Sequence, residues 1–63
     1  MEPKIDCEKE DGKIVLFATD SNGKRVETLA TLSLDKDGKE VIDQPKYEND
    51  MKICKASRKL KLP

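Results

Sequence analysis

Glu10-Asp11-Gly12-Lys13, Ser21-Asn22-Gly23-Lys24 and Lys36-Asp37-Gly38-Lys39 repeat one turn signature, and the run Ile14-Val15-Leu16-Phe17-Ala18-Thr19 lies between the first two. Asp-Gly and Asn-Gly suit a two-residue type I′ hairpin turn, because both central positions need φ > 0. Glycine takes that conformation without a steric cost, and Asn or Asp at little cost. The segments between the turns are rich in β-formers: Ile14 to Thr19, Val26 to Leu34, and Val41-Ile42. The reading is an antiparallel meander.

Two-residue loops at all three sites predict a register. The first turn sets Cys7 opposite Leu16 and Ile5 opposite Ala18. The second sets Leu16 opposite Leu29, Phe17 opposite Thr28 and Val15 opposite Ala30. The third sets Leu34 opposite Val41. Following the period of two yields two faces. One carries Ile5, Cys7, Ile14, Leu16, Ala18, Leu29 and Ile42. The other carries Val15, Phe17, Val26, Ala30, Leu32, Leu34 and Val41, with Lys4, Asp6 and Glu8 on its first strand. A hairpin sheet on a single core has one apolar face, and here the middle strands have two. Three coverings are open for the second face: curling into a small barrel, a C-terminal helix packed across it, or a second copy. The expected fold is all-β, a small antiparallel meander of four to five strands curling into a compact barrel. The alternative is α+β, the meander plus one C-terminal helix.

The last third is ambiguous. Pro45 cannot donate to a ladder and ends or edges the strand begun at Glu40. A helix over residues 47–60 would place Tyr47, Met51 and Cys54 on one side and Ile53, Ala56 and Leu60 nearly opposite, a split stripe. Lys59-Leu60-Lys61-Leu62 alternates as a strand does, which favours a closing fifth strand.

Sixty-three residues suffice for one domain over residues 1–63, and a chain this short buries only about 60% of its unfolded surface. Apolar residues make up 35% and charged residues 41%, so the core is lean and help from a disulfide, a ligand or a partner is expected. The formal net charge is 0, but its distribution is uneven. Residues 1–50 carry thirteen acids against eight bases, a balance of −5; residues 51–63 carry five bases and no acid, a balance of +5. No charged n-region followed by an apolar stretch opens the sequence, and no apolar run approaches the roughly twenty residues of a membrane span. A cytoplasmic location is expected.

Catalysis is disfavoured. Histidine, the usual general base near neutral pH, is absent, and with it any Ser-His-Asp or Cys-His arrangement. The carboxylate pairs Asp35/Asp37 and Glu10/Asp11 sit in predicted exposed turns, where nothing raises a pKa. Cys7 and Cys54 stand 47 positions apart, too far for a CxxC motif and too few for a four-ligand zinc site within one chain. They are read first as buried small hydrophobes, then as one disulfide joining the first strand to the last segment, and last as a metal site shared by two copies. Ser33 to Gln44 resembles a calcium loop only superficially, because Gln44 occupies the position of the bidentate Glu.

The composition and patterning point to a non-catalytic protein-binding or accessory module that acts through a protein partner or as a homodimer. No cofactor, metal, membrane or small-molecule substrate is expected. Phe17, Val26, Ala30 and Leu32 would form the contact surface, and Asp35, Asp37 and Glu40 its charged rim. The alternative is a nucleic-acid-binding protein that uses Lys55, Arg58, Lys59 and Lys61 of the basic segment.

Overall fold

The computed structural model describes residues 4–62; the outermost ends of the expected domain, residues 1–3 and 63, lie outside the described residues. Four strands, β1 (Lys4–Glu10), β2 (Lys13–Thr19), β3 (Arg25–Leu34) and β4 (Glu40–Ile42), form one antiparallel sheet in the order β1-β2-β3-β4. A short 3-10 turn (Pro45–Tyr47) leads into a helix, α1 (Glu48–Arg58). The meander is therefore present, but the barrel is not. β1 and β4 are both edges, and the alternative with a C-terminal helix matches the chain.

The first turn behaves as its sequence predicts. Asp11 and Gly12 both have positive φ (50° and 75°), and the register places Cys7 opposite Leu16 and Ile5 opposite Ala18. The other two loops are longer than expected. In each, a carboxylate just upstream of the turn captures backbone donors. Asp20 Oδ1 accepts the N–H groups of Asn22 and Lys24, both at 2.9 Å. Asp35 Oδ1 accepts those of Asp37 and Lys39 at 2.8 and 2.9 Å. Only Gly23 and Gly38 then carry positive φ, 80° and 78°. Ionised acceptors make strong hydrogen bonds, and they favour this capped loop over the two-residue turn. Leu34 consequently faces Glu40 rather than Val41.

The expected register of β2 on β3 holds at Phe17 and fails at the pairs before it. Phe17 lies opposite Thr28, but Leu16 faces Ala30 and Val15 faces Thr31, so Leu29 is an extra residue on β3. A second irregularity between Ala18 and Thr19 leaves Val26 without a partner. Such bulges switch the side-chain alternation beyond them and sharpen the local twist. Ala30 and Leu32, expected beside Phe17, move to the face of Ile14 and Leu16 instead. That face is the core: Cys7, Ile14, Leu16, Ala30 and Leu32 pack with Met51 of α1, and Leu60 and Leu62 close one side.

The Phe17 face is covered without barrel, helix or second copy. The Arg25 guanidinium sits 4.6 Å from the centroid of the Phe17 ring and bonds the Glu10 carboxylate at 2.7 Å. Glu10 pairs with Lys13 and Arg25 with Thr19, positions at opposite ends of β2. Those ends lie about 20 Å apart along an extended strand. For the two side chains to meet, the sheet must curl over Phe17, and the two bulges supply the bend. Long charged side chains laid over apolar surface complete the cover, leaving Val15 and Phe17 buried.

Candidate binding surface around the C-terminal helix

The helix begins after Pro45, whose fixed φ suits a first turn, and carries Glu48 and Asp50 near its N-terminus and Lys55 and Arg58 near its C-terminus, each favourable to the helix dipole. Met51 is its only buried residue. The split stripe expected from the sequence holds in part: Tyr47, Met51 and Cys54 turn inward and Ile53 is left 61% exposed, whereas Leu60, past the helix end, packs on the core. A strip this narrow would dock an eleven-residue helix weakly, and such a helix is marginal alone.

Covalent chemistry makes up the difference. Cys7 of β1 and Cys54 of α1, with Cα atoms 6.2 Å apart, form a disulfide. The expectation of two free buried thiols is thus corrected. Locally the two residues carry no mark of partnership, and only the crossing of α1 over β1 brings them together. By loop-closure entropy, a link across 47 residues contributes about 4 kcal/mol. Two ion pairs flank it. Lys55 Nζ bonds both oxygens of Glu40, at 3.0 and 2.9 Å. Arg58 Nε donates to Asp6 Oδ1 at 2.9 Å, and a second guanidinium nitrogen meets Oδ2. Partly exposed pairs of this kind contribute at most about 1 kcal/mol each. The disulfide is the principal tether.

Asp6 also guards the sheet edge. The Cys7 N–H, directed away from β2, donates to Asp6 Oδ1 at 2.8 Å. Burial pushes the Asp6 pKa up, but the hydrogen bonds from Arg58 and Cys7 and the charge of Arg58 outweigh it and hold the carboxyl below its ordinary value. On the opposite edge, Asp43 ends the β4 pairing. Its Oδ1 accepts the Thr31 N–H at 2.7 Å, and its own N–H reaches the Thr31 carbonyl at 3.2 Å. At these two positions a carboxylate occupies a backbone N–H that a stranger's strand could otherwise use.

Grooves of about 220, 240 and 760 Å³ border α1, the first lined by residues that include Leu32, Ile42, Met51 and Lys52. The second is lined by residues that include Ile5, Asp50, Ile53, Cys54 and Arg58. Ile5 is 45% and Ile53 61% exposed, so two large apolar side chains face solvent across one groove. The other flank, past Glu40 and Lys55, is bordered by the chain after the helix.

The residues expected to form a binding surface are dispersed. Phe17, Ala30 and Leu32 are buried, which corrects their assignment to an open contact face; the bulge at Leu29 carried two of them into the core. Val26 is exposed at the second bulge. Asp35 caps its own loop, Asp37 lies within that loop, and Glu40 is paired with Lys55. Of the basic residues, Lys55 and Arg58 are neutralised by Glu40 and Asp6, whereas Lys59 and Lys61 take no part in the ion pairs among the described residues. The sequence reading missed Ile5 and Ile53 as surface residues. The position of Ile53 off the Met51–Cys54 stripe was the available signal.

Metal binding finds little support. Among the described residues, Asp6, Cys7 and Cys54 alone bring three ligating atoms within 4.8 Å of one another. Both sulfurs are bonded to each other, and the carboxylate is held by Arg58. No helix among the described residues is long and apolar enough to cross a membrane. No family model matches the chain, and neither a curated protein nor a solved structure matches it.

Proposed function

We propose that this chain is a non-catalytic protein-binding module whose contact surface centres on the Ile5–Ile53 groove of α1. The observation that carries this reading is the exposure of two isoleucines across one groove, in a domain with little apolar material to spare. The disulfide and the Asp6–Arg58 pair tie the two walls of that groove together, so it is organised before any partner arrives. A second copy is the simplest partner. The test is sedimentation velocity across a concentration range for the wild type and Ile53→Asp. Concentration-dependent dimerisation that Ile53→Asp abolishes supports a homodimer. If both remain monomeric, the partner is a different protein, captured by immobilised wild type and not by the variant. Equal capture by both sinks the reading.

The nucleic-acid reading keeps Lys59 and Lys61 but has lost two of its four cations to intramolecular pairs. It also lacks the stacking aromatics that single strands favour, since Phe17 lies under Arg25. Titration with DNA and RNA at low and high salt separates the two readings. The disulfide favours an oxidising setting over the cytoplasmic location expected from the sequence, since reducing compartments keep thiols unpaired.

A further inference from the structure

The second flank of α1 has a different character from the first. Lys59, just past the helix, sits in the left-handed conformation at φ 57°, where Gly or Asn is the ordinary occupant. Its N–H bonds the Ala56 carbonyl at 3.2 Å, and the Leu60 N–H bonds that of Lys55 at 2.9 Å. The chain is thereby folded back, and the alternation Lys59-Leu60-Lys61-Leu62 gains a structural meaning without becoming a strand. Leu60 and Leu62 turn down onto the core, and Lys59 and Lys61 stand exposed.

The result is an open groove of about 760 Å³ with Ala56, Leu60 and Leu62 as apolar lining, and Lys55, Lys59, Lys61 and Glu40 as its charges. Three cations and one carboxylate leave a net charge of +2. Glu40 is engaged by Lys55, so the unmet charge belongs to Lys59 and Lys61. The opposite groove counts Asp6, Asp50 and Arg58, a net charge of −1. The helix thus presents flanks of opposite sign.

We infer that the Lys59–Leu62 groove is a docking site for an acidic peptide segment of a protein partner, one that alternates carboxylates with apolar side chains. Charge complementarity selects the carboxylates, which meet Lys59 and Lys61. The apolar lining selects a peptide over a bare polyanion, because a phosphate backbone gains nothing from Ala56, Leu60 and Leu62. This surface extends the protein-binding reading to a second face, and the two can fail separately.

The probe is an acetylated, amidated hexapeptide alternating Glu and Leu, titrated into ¹⁵N-labelled oxidised protein. Comparison probes are an all-Glu hexapeptide, a Gln-Leu hexapeptide and oligothymidylate. Saturable shifts are expected at the amides of Ala56, Lys59, Leu60, Lys61 and Leu62, weakening at high salt. Lys59→Glu/Lys61→Glu alters exposed side chains only and should keep the wild-type melt while weakening the Glu-Leu peptide by about tenfold or more. Ile53→Asp should bind the peptide as the wild type does. Three results overturn the inference: no saturable shifts at these amides, equal binding of the all-Glu peptide or oligothymidylate, or indifference to the lysine reversals. Self-association abolished by those reversals would replace the peptide with a second copy and equally overturn it. If the peptide fails while Ile53→Asp still abolishes partner binding, the protein-binding reading survives without this second site.

Discussion

Arg25 stands over the ring of Phe17 at 4.6 Å from its centroid, held there by Glu10. The contact explains how the sheet face opposite α1 is covered without a further layer. The carboxylate and guanidinium hold each other in their charged forms: the Arg25 hydrogen bond lowers the Glu10 pKa, and Glu10 raises that of Arg25.

If Arg25 acts as a lid, its length matters as well as its charge. Arg25→Ala should lower the midpoint of urea unfolding and raise binding of an apolar dye at the uncovered Phe17. Arg25→Met, which keeps much of the covering volume, should fall between the variant and the wild type. Equal midpoints for wild type and Arg25→Ala would show that Phe17 is covered by other means.

The disulfide is the main tether between α1 and the sheet. Reduction by a dithiol, or Cys7→Ala with Cys54→Ala, should remove about 4 kcal/mol and reduce the helical circular dichroism, because α1 is then held by Met51, the flanking Tyr47, Leu60 and Leu62, and two weak ion pairs. Urea unfolding with and without reductant measures it. Coincident curves would show that the helix docks without the link.

Asp20 and Asp35 hold equivalent places in two loops. Asp20→Ala and Asp35→Ala should each cost about 1 kcal/mol, since each strips two backbone donors of their acceptor. The loops lie at opposite ends of β3, so the double variant should cost the sum of the two. Asparagine keeps the accepting oxygen and should be nearly silent at either site. Thermal or urea unfolding of the five variants decides the matter.

Asp6 gives the fold a dependence on acid. Its folded pKa lies below that of the unfolded chain, so the unfolded state takes up the proton first as pH falls. Its stabilising contribution is complete above the unfolded value, near pH 4, and is lost as pH drops through the folded value. The melting temperature of wild type should therefore exceed that of Asp6→Asn at pH 6 and converge toward it near pH 3. A gap that widens on acidification would reverse the assignment.

Much of the architecture was legible before any coordinates. Asp-Gly at 11–12, with Lys9 at the position that Asp20 and Asp35 hold in the other two loops, determined the first hairpin to the residue, because few residues accept two successive positive φ angles. The three β-rich stretches and their order followed from the turn residues between them. The binding surface was far less legible. Phe17 and Leu32 read as neighbours by parity, yet one inserted residue at Leu29 put them on opposite faces.

The sequence by itself determined where the chain reverses and which stretches extend, since both depend on the local preferences of a few adjacent residues. Tertiary structure alone decided the bulges that curl the sheet, the pairing of Cys7 with Cys54, and the turn of residues 48–58 into a helix rather than a closing strand. Each of these follows from contacts between residues far apart in the chain. Parity and periodicity describe a segment against itself, and so carry no record of such meetings.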